Sequence, residues 1–365
     1  MAWVILGHTF HAVSSGGNIT NLLDVASWTT SAKSLWVMSA PITVDTFFTL
    51  SGLLVVYTTA GKFTSFLLQA SIFHRVADGP NWNSVAKQVD DCRTYWWTNF
   101  LYIQTYTNTF GLCLPQTWYL TVDFHLHVLS PIVLVWVLTS RRWKAWVGLT
   151  AGLAISLTLT TVYVFKQQFS TLYTKDPVQS SKFIRDYYMN TLTRAPPFFV
   201  GMVFGYMMNL RRDKKIRISK LVLTALWLCA AAVAATVIYT YYYQANVLDY
   251  KQIDANLINA FTRAAWAVVI SWMILACAQG YGGLINWVLC LQQLKLLSRI
   301  SYAMYIIHYP IIYVYVGSAV TPFYFEVLSI TYTFLSHFAA TFACAFILTL
   351  LVDSPAMIFI KLMVN

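Results

Sequence analysis

The chain has 365 residues, of which 58% are hydrophobic and 10% charged, with a mean hydropathy of +0.59 and a formal net charge of +11. A soluble domain is about 25% charged, so this composition excludes an ordinary soluble protein and predicts an all-α, polytopic transmembrane helix bundle; no run alternates with period two as a transmembrane barrel would. The basic residues sit in short loops between apolar runs, where the positive-inside rule accounts for them, so the charge does not predict a nucleic-acid partner.

In chain order, the first apolar run is Met1 to Val13. As a helix it spans ~20 Å at 1.5 Å per residue, short of the ~30 Å hydrocarbon core, and it reads as the second part of a helix that begins elsewhere. No basic n-region or cleavage site marks a signal peptide. Spans are predicted over 40–59, 118–139, 145–165, 196–209, 221–241, 257–280, 301–317 and 327–351. Between them "SRRWK" (140–144) and "LRRDKKIRISK" (210–220) hold nine Lys and Arg and are expected in the cytoplasm. The loops 14–39, 166–195, 242–256 and 318–326 then fall on the opposite side, where the "NIT" beginning at Asn18 could serve as a glycosylation sequon. Within residues 62–82 only eleven mostly apolar residues, Phe63 to Phe73, are available, too few to cross. The chain re-enters there or lacks a helix. The membrane domain is read as 1–358, with 359–365 a C-terminal tail.

Cys229, Cys277 and Cys344 lie in apolar spans and are expected to be packing residues, and Cys290 a reduced thiol in a cytoplasmic connection. Cys92 and Cys113 bracket one polar, aromatic connection; if that loop is lumenal, a disulfide is the expected state.

Polar groups inside spans are costly and often functional. They include His8, Asp45, Ser51, Asp123, His125, His127, Arg194, Arg263, His308 and His337. His125 and His127 are two apart and point to different helix faces; with no HExxH, CxxC or GxSxG, neither a metal site nor a hydrolase elbow is predicted. Three stretches stand out. In "VILGHTFHAV" Gly7 admits a close helix, and His8 is either an imidazole hydrogen-bonded between helices or a base titrating near neutral pH. "VDTFFTLSGLLVVY" (44–57) sets Asp45 at a helix start, as a cap or a functional carboxylate, with Ser51 mid-span. In "QTWYLTVDFHLHVLSP" (116–131), Trp118 and Tyr119 are aromatic-belt residues and Asp123 needs a cation or a His as partner.

These strings, together with "DGPNW", "CRTYWWTNFLYI", "TRAPPFFVGMVFGY", "LSRISYAMYIIHYPII" and "LVDSPA" and in this order, resemble the acyltransferase-3 superfamily, and within it the animal nose-resistant-to-fluoxetine branch. The resemblance covers nearly the whole chain. It implies that His8 ends an Arg-to-His pair whose Arg falls before residue 1, that an upstream lumenal domain and span belong to such proteins, and that one helix is missing between Gln69 and Ala70. The expectation is a truncated, internally deleted form.

The resemblance further implies a membrane-bound O-acyltransferase that moves an acyl group from a cytosolic donor to a hydroxyl-bearing acceptor across or within the bilayer. Acyl-CoA is the expected co-substrate, and no bound cofactor is expected. His8 would be the general base or, alternatively, an acyl-histidine nucleophile. Asp45, Ser51, Trp118, Asp123, Arg194, Ser301, Tyr302 and His308 are the candidates for orienting it, binding acceptor or neutralising donor phosphates. The alternatives are a transporter or lipid-handling protein without catalysis, and an inactive isoform.

Overall fold

The computed structural model describes residues 1–16, 19–51, 79–107, 109–137, 141–171, 176–211, 215–246 and 251–355. Phe63 to Phe73, the second part of the span predicted over 40–59, Asn18 and the tail 359–365 lie outside them. The protein is an all-α membrane bundle; among the described residues the only strand-like pairing is a single bridge between Ile19 and Phe323. Among the described residues, five helices are each long and apolar enough to cross a bilayer. The chain divides into two compact units, one made of 1–41, 56–118 and 291–365, the other of 42–55 and 119–290.

In the first unit α1 (Ala2–Gly16) buries Val4, Ile5, Leu6, Thr9, Phe10 and Val13. Positions 5 and 9 form one stripe and 6, 10 and 13 an adjoining one, so the helix is gripped from two sides. Ile5 packs with Ile300, Ala303 and Met304 and with Ala345 and Leu348, while Leu6 and Phe10 pack with Val25 of α2 (Leu22–Thr29) and with Val37, Phe325 and Ile330. Gly7 is required, because a Cβ there would lie 2.7 Å from that of Ala40. In the second unit α3 (Thr43–Ser51) lies against a helix whose Gly201 brings its backbone onto the carbonyl of Thr49. The first unit also holds α4 (Trp82–Phe100), fastened by a Cys92–Cys113 disulfide with both cysteines buried, and by a buried cluster in which Asn99 donates to Gln104 (3.1 Å) and Thr117 (2.7 Å).

The predicted span 118–139 is not one helix. It breaks at Ser130 into α5 (Trp118–Leu129) and α6 (Pro131–Val137), bent by 46°, because proline has no N–H to continue the ladder and its ring clashes with the preceding turn. Then come α7 (Arg142–Gln167), α8 (Thr191–Leu210), α9 (Lys220–Asn246) and α10 (Gln252–Ala278), followed in the first unit by α11 (Gln292–Gly317) and α12 (Val327–Leu348). The spans thus begin up to nine residues earlier than the apolar runs suggested, as α11 does at Gln292 rather than Ser301. The cysteines correct another expectation: Cys229 and Cys344 are exposed and Cys277 half-buried, so they face outward more than they pack.

Prolines within spans release the carbonyl four residues earlier, and lipid offers it no donor. Each released carbonyl here has one from a side chain. For Pro131 it is Ser130 Oγ to His127 O (2.8 Å); for Pro196, Thr160 Oγ1 to Leu192 O (3.0 Å). For Pro197 it is Arg263 Nη1 to Thr193 O (3.2 Å), and for Pro310, Gln116 Nε2 to Ile306 O (2.8 Å).

Thr160→Val is expected to cost about 1–3 kcal/mol by leaving the Leu192 carbonyl unanswered, read as a lower unfolding midpoint in detergent. In a Pro196→Ala background, where residue 196 regains its N–H, the same change should cost clearly less. Equal losses in both backgrounds would show that the hydroxyl does not serve this carbonyl.

Candidate active site

His8 sits half-buried midway along α1. The His308 ring lies 5.3 Å away and the Tyr309 ring 5.0 Å away, nearly edge-on at 83°. His308 is fully buried; its Nδ1 donates to Tyr305 O at 2.7 Å, which leaves Nε2 as the lone-pair nitrogen of a neutral ring, and that atom has no hydrogen-bond partner among the described residues. No described residue hydrogen-bonds the His8 ring, so its nitrogens stay available to a ligand. The next residue, Thr9, is hydrogen-bonded through Oγ1 to His337 Nδ1 at 2.9 Å on α12. The side chains of His8 and Thr9 therefore reach α11 and α12 respectively. Tyr309 continues the polar face to Tyr313, with hydroxyls 3.5 Å apart.

The other candidates on α11 are less close-knit with His8. Ser301 donates to Ser298 O of its own helix (2.8 Å), and the Tyr302 ring lies 6.4 Å from that of Tyr305, whose hydroxyl donates to the Gln116 carbonyl. Trp118 is buried at the first position of α5.

The second unit holds the remaining candidates. Asp45, in the first turn of α3, pairs with Arg194 at 2.7 Å, both side chains almost wholly buried. Arg194 also donates through Nε to Tyr188 O (3.0 Å) and lies 4.5 Å from the Tyr188 ring. Tyr188 closes a π-helical turn, Phe183–Tyr188, that leads into α8, whose first turn Asn190 caps at Leu192 N (2.8 Å). Beside it the Arg263 guanidinium lies 3.9 Å from the Tyr187 ring and binds Thr193 through its carbonyl and its hydroxyl. Two guanidiniums are thus buried with one carboxylate. The partner of Asp123 is His127, at 3.5 Å, and Ser51 joins them: its hydroxyl bonds the Asp123 carboxylate and its carbonyl faces His127 Nε2 at 3.1 Å.

Arg263 and His337 were visible as polar residues in spans but not as members of these clusters. The signal for Arg263 was the "RAPP" stretch, since two adjacent prolines in a span require two outside donors. No group of three or more His, Cys, Asp or Glu suited to a metal occurs among the described residues.

Multiple apolar helices define a multi-pass membrane protein, and the half-buried His8 imidazole is its candidate reaction centre. The chain belongs to the acyltransferase-3 family: residues 1–352 match the family described as an acyltransferase domain. It is similar to nose resistant to fluoxetine protein 6 of Caenorhabditis elegans, 25% identical over 405 aligned positions that take in 97% of this chain and 49% of the relative. The chain spans about half the length of that curated relative. Because the aligned region is longer than the chain's 365 residues, the relative carries residues within it that have no counterpart here. No solved structure matches.

Removing one member of a buried ion pair strands the other charge, at a cost of about 3–5 kcal/mol. Asp45→Asn is therefore expected to lower the unfolding midpoint in detergent sharply, and the double variant Asp45→Asn/Arg194→Gln to recover part of the loss. A double variant as unstable as the sum of the two singles would show that the charges do not interact.

Proposed function

We propose that the chain carries the membrane domain of an O-acyltransferase that moves an acyl group from acyl-CoA on the cytosolic side to a hydroxyl-bearing acceptor. The observation that carries this reading is His8: a half-buried imidazole, unengaged by any described hydrogen bond, in the first helix of an acyltransferase-family domain. Its nitrogen takes the proton of the acceptor hydroxyl as the oxygen attacks the thioester carbonyl. The C–S bond then breaks, and CoA leaves as a thiolate that takes up the proton. His308 and Tyr309 form one side of the His8 environment and position the ring. Asp45, Arg194, Ser51 and Asp123 support the second unit by locking α3 to α8 and α5. Trp118, Ser301 and Tyr302 are assigned supporting places around the donor and acceptor. The relative's additional residues include, on this reading, a helix that falls between Gln69 and Ala70.

A second reading, movement of a lipid or small molecule without chemistry, draws on the broken span at Ser130, since discontinuous helices line transport sites. Consumption of acyl-CoA separates the two.

In a form with the missing helix restored, His8→Ala is expected to lower transfer of radiolabelled acyl groups by about 10²- to 10⁴-fold without changing expression or the unfolding midpoint. The 365-residue chain should be weakly active at best. Transfer that survives in the variant would sink the general-base assignment, and an absence of transfer in the restored wild type would favour the transport reading.

A further inference from the structure

One end of the first unit holds a cavity that acyl transfer, as read above, does not use. It is an open groove of about 430 Å³, its rim formed by exposed residues such as Leu328 and Tyr332, and it lies where α11 ends and α12 begins. Its walls include Tyr315, Glu326, Ser329, Tyr332, Thr333 and Ser336. Lys295 and Arg299 mark the opposite end of α11, so the cavity opens on the side away from the basic connections.

The lining sets hydroxyl, aromatic and carboxylate groups beside apolar surface that includes Leu328. Glu326 is its single carboxylate, and among the described residues no Lys or Arg lines it. Thr333 and Ser336 spend their protons on their own helix, donating to Ser329 O (2.9 Å) and Tyr332 O (3.0 Å), so their oxygens act toward an occupant as acceptors. Tyr315 and Tyr332 contribute aromatic rings. His337 closes the inner end; it is 4% exposed, edge-on to Tyr315 at 4.9 Å, with Nδ1 held by Thr9 and Nε2 lacking a hydrogen-bond partner among the described residues.

The backbone that leads into Glu326 is held in place. Asn21 clamps the preceding residue on both sides, its Oδ1 accepting from Phe325 N (2.7 Å) and its Nδ2 donating to Phe325 O (2.9 Å). Thr20 N donates to Phe323 O (3.0 Å), and the Phe323 ring lies 5.7 Å from that of Tyr315. Glu326 therefore enters the cavity from a segment fastened at three points.

An exposed carboxylate on a fastened backbone, with aromatic rings and hydroxyl acceptors around it and no cation in the lining, makes up the chemistry that recognises an organic cation. We propose that this cavity binds a protonated amphipathic amine, its ammonium at Glu326 beside the tyrosine rings and its apolar body directed along α12 toward His337. Carboxylates and phosphates are excluded by the charge of Glu326, and a neutral alcohol forfeits the ion pair. The hydrogen bond between His337 and Thr9 connects the inner wall to the residue that follows His8.

Three probes of one shape and different charge test this: 3-phenylpropylamine, 3-phenylpropan-1-ol and 3-phenylpropanoate, titrated into the purified 365-residue protein in an uncharged detergent at neutral pH. The amine is expected to bind at least about tenfold more tightly than the alcohol and to raise the unfolding midpoint, with no binding of the propanoate. Glu326→Gln should bring the amine down to the affinity of the alcohol. Ser336→Trp, at an exposed position, should fill the cavity and remove binding of both. Amine and propanoate bound alike, a preference that survives Glu326→Gln, or binding that survives Ser336→Trp would overturn the proposal. Should Glu326→Gln fail to fold, the charge series and the Trp variant decide. The readout is binding alone, so its failure is distinguishable from a failure of the acyl-transfer reading.

Discussion

Inside a bilayer nothing but the protein itself can answer a backbone carbonyl, and that constraint organises this fold. Among the prolines of its described helices, those at 131, 196, 197 and 310 each free an acceptor that a side chain reaches. The donors come from the same turn, from a neighbouring helix, or from the 3₁₀ turn Pro115–Thr117. Three of the four therefore dictate a contact between elements. Thr160 ties α7 to α8, Arg263 ties α10 to α8, and Gln116 ties the turn before α5 to α11.

Arg263 is the extreme case, a guanidinium taking the place of the N–H that Pro197 lacks. A burial this costly holds because the cation also rests on the Tyr187 ring and shares its surroundings with the Asp45–Arg194 pair. Tyr187 is anchored in turn, its hydroxyl donating to Asn259 O at 2.7 Å on α10. The π-helical turn that presents Tyr187 and Tyr188 is thus part of the same lock, and the start of α8 is rigid where α3 meets it.

Much of this was legible beforehand, and the omissions have physical causes. Apolar length alone located the five helices that are long enough to span, because the bilayer imposes that length, and the ordered motifs identified the family. The helix break at Ser130 was missed because hydropathy does not register a proline within an apolar run. Asp45 and Arg194 were each singled out, but 149 positions separate them and no local pattern joins them. His127 was weighed only as a metal ligand beside His125, whereas its partners, Asp123 and Ser51, are supplied by its own helix and by α3. The cavity at Glu326 had no signature at all: serine, threonine and tyrosine are common on transmembrane helices, and only the juxtaposition of α11 with α12 encloses them.

The consecutive positions His8 and Thr9 carry a mechanical consequence. Neighbouring residues of a helix point about 100° apart, so α1 faces α11 with one side chain and α12 with the next, like a key with two adjacent teeth. Turning α1 far enough to withdraw Thr9 from His337 sweeps the His8 ring across His308 and Tyr309 by the same angle. The His8 imidazole and the Thr9 hydroxyl that meets His337 therefore share one rotational coordinate, and neither can be displaced about the α1 axis while the other stays still.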